Sequence, residues 1–578
     1  MNGISRYFII IGGMKSNFTA AALMKTIAGI GLLMTAFAWT GCTEKEEKPQ
    51  EKDIVKKAEL FPDRLKKNLQ EFIQYAGNNS GRISDTTLLK NISIVKDIYV
   101  DNGYTALWSA EGQWLPLGDS LFNFIMNSKH YGLFPSDYNY RAINGIRDQV
   151  QKDSLSQKDA ALWARADMLL TDAVLRVAEH LKRGRLPYDS TSRKDTVRLT
   201  DSFYVSVIDK INTSKTLTPV LNGLEPAIAP YQELKNAAKD YVDSTEFVMY
   251  TYLSYPFEDS LAFYGLLRNR LFEEGMIDSI STNFDSVQLS KALKKYQAKH
   301  KIKASGKVNE ATINALNDTP WERFKRIALS LDKYKLMPDT LPTTYVWVNI
   351  PGYYLKVVDT GQVVMESRVI VGSSKTRTPE LHSDISNFIT YPQWTVPYSI
   401  IFKEMLPAIK KDVTYLDRQN LMVVDRNDSV LDPYLIDWSK LSKKKFPYLI
   451  KQREGDDNSL GVLKFNFRNK YAVYLHDTNA RWMFSKSDRA LSHGCVRVQD
   501  WRDLAHFLVR NDTIKYHTDT LASWIVRQEK HVVSGFKKVP VYLRYFSCEA
   551  KDGKVKFYDD VYGEDRILTE KYFAKNIY

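Results

Sequence analysis

Apolar residues keep a helical period through the first half of this chain and give way after it to short strand-like runs, so no single layered core can serve both. Over 58–256 the helical spacing is carried by Leu65, Leu69, Phe72 and Ile73 in one segment, and by Leu162, Ala166, Leu169, Leu170, Ala173, Val174 and Val177 in another. His130 and His180 lie in this part with no neighbours at ligand spacing, which reads as structural. Residues 257–318 repeat the pattern on a smaller scale. Leu266, Leu267 and Leu271, then Ala292, Leu293 and Tyr296, then Ile313 and Leu316 across Gly306, predict a three-helix unit. A connecting helix is expected within 319–343. Strand signals then take over at 344–350, 353–359 and 362–371, with turns at Pro351-Gly352 and Thr360-Gly361. From about 401 to 450 the pattern becomes helical and irregular, as in an insertion into the strand-rich domain 344–578. The expected class is multidomain α+β, and 578 residues at roughly 150 per domain imply three or four domains.

The chemistry gathers near residue 495. Cys495 stands in Leu491-Ser492-His493-Gly494-Cys495-Val496-Arg497-Val498, and His476 ends the apolar run Tyr471-Ala472-Val473-Tyr474-Leu475. A thiol attacks as thiolate, so a reactive Cys needs a base or a positive field to lower a free pKa of about 8.5. His476 and His493 are the candidate bases. Gly494 leaves backbone N–H groups open to a substrate oxygen, and Arg497 adds a cation. Together these are the parts of an acyl-transfer site. Residues 471–475 read as a buried strand and 496–498 as a short extended run. Asp500 reads as the N-cap of a helix whose apolar face is Leu504, Phe507 and Leu508.

The stretches His476-Asp477-Thr478 and Arg489-Ala490-Leu491-Ser492-His493-Gly494-Cys495-Val496-Arg497-Val498 resemble the signature of the L,D-transpeptidases of peptidoglycan, in their large multidomain Gram-negative form. The resemblance implies Cys495 as nucleophile, His476 as its base, Asp477 as an orienter through its backbone carbonyl, and the N–H groups of Gly494 and Cys495 as the oxyanion hole. It also implies a helical scaffold domain before residue 256, a peptidoglycan-binding role for 257–318, and a mobile lid over the cleft from the insertion. Ser492, His493, Arg497 and, in the loop Asn458-Ser459-Leu460-Gly461, Asn458 become candidate contacts to substrate. Arg453-Glu454-Gly455-Asp456-Asp457 departs from the family in lacking prolines before that loop. Cys548 reads as buried and inert, since a disulfide to Cys495 would silence the nucleophile. No cofactor or metal is expected.

Net charge of +13 suits a polyanionic surface, but no basic run interleaved with aromatics points to nucleic acid. Near the amino end, Lys25 precedes an apolar stretch over 27–39 that ends in Thr40-Gly41-Cys42. This resembles a lipoprotein signal with Cys42 as the lipidated residue, although Trp39 replaces the usual aliphatic. Residues 1–41 are thus expected to be a signal peptide and 42–57 a charged flexible tether, holding the protein in the periplasm or cell envelope by a membrane anchor. Three other readings fit the residues. With water as acceptor, the same site is an L,D-carboxypeptidase. With His476, His493 and Cys495 on Zn²⁺, it is a metallohydrolase. Without chemistry, the chain is a wall-binding lipoprotein.

Overall fold

The structure is a computed structural model, and it describes residues 48–84, 87–187, 199–280, 285–512 and 515–573. Residues 1–47, with the signal and Cys42, lie outside the described residues.

Helices build the first part around Ala160–Lys182, which is buried on nearly every side. Its N-cap Asp159 accepts from the N–H groups of Ala161 and Leu162, and also from Asp53 N–H at 2.9 Å. Asp53 in turn takes Arg64 and Asn68, Ile54 bridges to Asp159, and Val55 is buried. The expected tether is therefore already part of the fold from Asp53, whose carboxylate holds Arg64 and Asn68 of one helix while its backbone pairs with Asp159 and Ala160 at the start of another. His180, half-buried, meets the Tyr138 hydroxyl at 2.8 Å, and His130 meets Asp243 at 2.6 Å. Helices Ser260–Glu273, Ser286–Lys299 and Glu310–Asn317 close a separate small core of Phe263, Leu267, Leu271, Leu293, Tyr296, Ile313 and Leu316.

The catalytic-side domain is a nine-stranded sheet. Its strands are β1 (Thr344–Asn349), β2 (Tyr354–Asp359), β3 (Gln362–Gly372), β4 (Leu381–Thr390), β5 (Leu463–Phe467), β6 (Leu475–His476), β7 (Ala490–Ser492), β8 (Val496–Val498) and β9 (Val532–Arg544). Their order is β7-β3-β8-β6-β5-β4-β9-β1-β2, and β2 also pairs with β3, so eight of the strands close into a barrel with β7 outside it. Most neighbours run antiparallel, but β6 with β8, β9 with β1 and β7 with β3 are parallel. Val346, Val348, Leu355, Val357, Val369, Val371, Phe465 and Leu475 fill the interior, and the helix Trp501–Val509 packs Leu504 and Leu508 against it. That helix begins at Asp500, as expected, but the Asp500 side chain makes no capping bond.

Two expectations are corrected here, and outside the barrel residues 554–557 form a hairpin with Cys548–Lys551. The run 471–475 is strand only from Leu475, because the Asn469 amide oxygen accepts from Tyr471 and Val473 N–H and holds those residues in a turn. The insertion is not merely helical. It contains a four-stranded sheet of Trp394–Thr395, Leu449–Gln452, Leu421–Val424 and Val430–Leu431, over its own core of Ile401, Ile409, Leu416, Val423, Trp438 and Ile450.

Candidate active site

Register decides which side chains meet. Across the parallel β6–β8 pair, Leu475 lies opposite Val496 and His476 opposite Arg497. One step earlier, the Val496 N–H donates to the Tyr474 carbonyl at 3.1 Å, which sets Cys495 beside Tyr474. On the other side of β6, antiparallel pairing puts Lys464 of β5 opposite His476. Side chains two apart share a sheet face. One face of the barrel therefore carries Lys464, Tyr474, His476, Cys495 and Arg497 together, with His476 diagonal to Cys495 rather than directly across.

The catalytic loop is held by its own turn and by the loop after β3. Gly494 has a φ of +118°, a conformation that side-chain-bearing residues rarely adopt, and this requires glycine more than any crowding does. Thr378 Oγ1 donates to the Gly494 carbonyl at 2.8 Å, and Thr376 Oγ1 to the Ser492 carbonyl at 2.9 Å. Ser492 Oγ donates to the Cys495 carbonyl at 2.6 Å and accepts from Gly494 N–H at 3.1 Å. Ser492 is thus buried in the turn and not offered to substrate, and one of the two expected oxyanion donors, Gly494 N–H, is already engaged.

His476 is buried, and its imidazole is pushed down to about 3 from the ordinary histidine value, by burial first and then by the Arg497 and Lys464 cations. The Asp477 and Leu460 carbonyls lie beside the ring and oppose that shift. Neither reaches Nδ1 with hydrogen-bond geometry, and Nδ1 has no partner among the described residues. The Asp477 carbonyl thus acts on the ring, as the expected orienter would, without closing a full hydrogen bond to Nδ1. The Asp477 carboxylate instead receives the Arg481 guanidinium, at 2.6 and 3.1 Å, and Val462 N–H at 3.0 Å. Burial raises the Cys495 thiol above its ordinary value, against the lowering effects of the Tyr474 backbone, the Tyr474 hydroxyl, Lys464 and Arg497. The expectation of a lowered thiol pKa is thus reversed, because the desolvation of sulfur exceeds the field of two cations. The resting pair is a neutral thiol beside a neutral imidazole.

The remaining candidates part company. Arg497 is partly buried, its Nη1 lies on the Met483 sulfur at 3.4 Å, and its Nε is buried without a partner. His493 turns away from the sulfur and meets Glu404 of the insertion at 2.8 Å. A zinc site would need it beside Cys495 and His476. Asn458 is fully buried. Its amide donates to the Arg453 carbonyl at 2.7 Å and accepts from Leu460 N–H at 2.8 Å, so it shapes the loop and cannot reach substrate. Cys548 is a free, buried thiol that donates to Ser330 Oγ at 3.2 Å on the connecting helix. Sequence reasoning missed Tyr474, Lys464, Thr376 and Thr378. Alternation back from His476 would have found Tyr474, but the others depend on pairing between distant strands.

Comparison with known proteins identifies the two main parts. Residues 343–516 match the L,D-transpeptidase catalytic domain, and residues 93–237 match the Scaffold domain. A Haemophilus influenzae protein provisionally named an L,D-transpeptidase is 35% identical over 246 residues, covering 42% of this chain and 49% of its own length. The chain thus spans about half of that relative. Solved L,D-transpeptidases from Stackebrandtia nassauensis and Xylanimonas cellulosilytica are 15% and 14% identical, with TM-scores of 0.15 and 0.14. Each covers 52% of this chain, which in turn covers 95% and 100% of them, and at those scores the likeness carries no structural argument. This chain carries an L,D-transpeptidase catalytic domain over residues 343–516, preceded by a scaffold domain over residues 93–237.

Proposed function

We propose that the chain is a peptidoglycan L,D-transpeptidase. It cleaves the L,D bond between the penultimate residue of a tetrapeptide stem and its terminal D-Ala, releases D-Ala, holds the stem as a Cys495 thioester, and passes it to an amine. One observation carries this reading above the others: His476 ends β6 and Cys495 immediately precedes the parallel β8 beside it, with Arg497 opposite the histidine and its Nε unpaired among the described residues. In acylation, sulfur bonds to the stem carbonyl carbon, the thiol proton passes to His476, and the same proton leaves on the amine of D-Ala. In deacylation, His476 takes a proton from the acceptor amine, the new C–N bond forms, and sulfur departs with the C–S electron pair. The Cys495 N–H serves the tetrahedral oxyanion, and Gly494 N–H joins it when Ser492 Oγ rotates away, at about 3 kcal/mol per donor. Arg497 offers its planar fork to a carboxylate of the stem.

The wider reading follows the same family. Helices 257–318 dock the wall polymer, the insertion covers the cleft, and Cys42 bears the lipid that holds the protein at a membrane in the cell envelope. Among the described residues no helix is long and apolar enough to cross a membrane. A carbapenem tests the core of the proposal. Intact mass should rise by one inhibitor, on the peptide containing Cys495. The adduct should vanish in Cys495→Ala, persist in chelator, and form about 10² to 10⁴ times more slowly in His476→Ala. Activity that is lost to chelator, with no adduct on folded and reduced protein, would sink the proposal.

A further inference from the structure

Tyr474 is the residue nearest the nucleophile that neither the motif nor the mechanism above uses. Its hydroxyl lies where it lowers the Cys495 thiol, and Trp394 lies where it lowers the hydroxyl, while the thiol itself points at the Ala472 carbonyl at 3.9 Å. Backbone pairing fixes this contact, since the Tyr474 carbonyl receives Val496 N–H at 3.1 Å and leaves Tyr474 and Cys495 side by side. The ring is clamped as well: Lys464 Nζ sits 4.1 Å from its centroid, and the His476 ring stands edge-on at 5.6 Å. Trp394 belongs to a different unit. It lies in the first strand of the insertion, paired with Gln452.

We propose that the Tyr474 hydroxyl is part of the catalytic apparatus. It donates to the Cys495 sulfur and is itself oriented by the Trp394 indole N–H, so the readiness of the nucleophile depends on the seating of the insertion. This rests on the acyl-transfer reading above and adds a residue to it. The phenol keeps its proton throughout. A hydrogen bond to sulfur is weak while sulfur is a thiol or a thioester, and strengthens when sulfur carries charge. That occurs twice: as the thiol proton leaves for His476, and as the C–S bond breaks and sulfur takes the electron pair. Lys464 from β5, His476 from β6 and Arg497 from β8 are the other charged or titratable groups on this face, and all three remain when only the hydroxyl is removed.

Tyr474→Phe isolates the hydroxyl, because the ring that carries Lys464 and packs on His476 stays. The measurement is the rate of Cys495 alkylation by iodoacetamide against pH, on the full chain, with thermal melting as a check on folding. Tyr474→Phe should alkylate about tenfold more slowly at neutral pH, with its midpoint displaced upward by about one pH unit, the size expected for one hydrogen bond to a charged group. Trp394→Phe should move the profile in the same direction by less, and it reads the same relay if Tyr474→Phe fails to fold. A wild-type profile in folded Tyr474→Phe overturns the proposal. A shifted Tyr474→Phe with an unshifted Trp394→Phe overturns the link to the insertion. Alkylation requires neither stem nor acceptor, so failure of the transpeptidase reading would appear separately, as an absent carbapenem adduct on a thiol whose profile still responds to Tyr474.

Discussion

At the scale of single residues, protonation sets the behaviour of the site. With the His476 imidazole pushed down to about 3 and the Cys495 thiol raised by burial, neither group changes charge between pH 4 and 8 in the free enzyme. The sign follows directly. Thiolate, the alkylated species, grows only as pH climbs towards the raised thiol value, and a histidine already neutral adds no step near 6.5. Wild-type alkylation should therefore rise continuously into alkaline solution, and an inflection between pH 6 and 7 would mean that the pair rests as thiolate and imidazolium. The sequence made Cys495 and His476 legible because few residue types can do this chemistry. It left Tyr474 unread, and it made Asn458 and Ser492 look like substrate contacts. A polar side chain in a motif has the same letter whether it faces a ligand or satisfies its own backbone, as both of these do.

Among elements, the insertion and the catalytic loop meet through His493 and Glu404, at 2.8 Å and with 47% and 52% of their side chains exposed. A contact so open to water is worth less than about 1 kcal/mol. It can therefore bias the position of the insertion without locking it. Glu404→Ala should leave the melting temperature unchanged and speed proteolytic cleavage within 394–452, whereas unchanged cleavage would remove any restraining role. The runs at 344–350, 353–359 and 362–371 were readable as strands because each is rich in β-branched and aromatic residues and the turns Pro351-Gly352 and Thr360-Gly361 separate them. The insertion's sheet was not, since Leu421–Val424 is a short apolar run between polar segments and its partner Leu449–Gln452 lies beyond a stretch with no alternation.

Across the whole molecule, the scaffold and the barrel are joined by the helix Pro320–Lys335. Gly184 at the end of the central scaffold helix approaches Asp332 so closely that a Cβ there would stand 2.8 Å from its carboxylate. Asp332 also accepts from Arg185 N–H and from buried Lys335. From the opposite side of this helix, Lys333 donates to Asp565 at 2.5 Å and to the Tyr545 carbonyl at 2.7 Å. Burial draws the Lys333 ammonium down, but Asp565, Glu380 and Glu564 outweigh it and keep it charged. Asp565→Asn removes that compensation in a buried pair and should cost about 3 to 5 kcal/mol, measured as a shift in the denaturant midpoint. An unchanged midpoint would mean that water reaches Lys333. The pair has a consequence for the order of events during synthesis. Lys333 and Asp565 are 232 residues apart, so the connecting helix emerges with a cation that has no partner until the barrel and the segment after it have been made. The Lys333 ammonium can therefore be buried with its carboxylate only in a chain completed through Asp565, whereas the Asp332 side of the same helix can meet the scaffold before that.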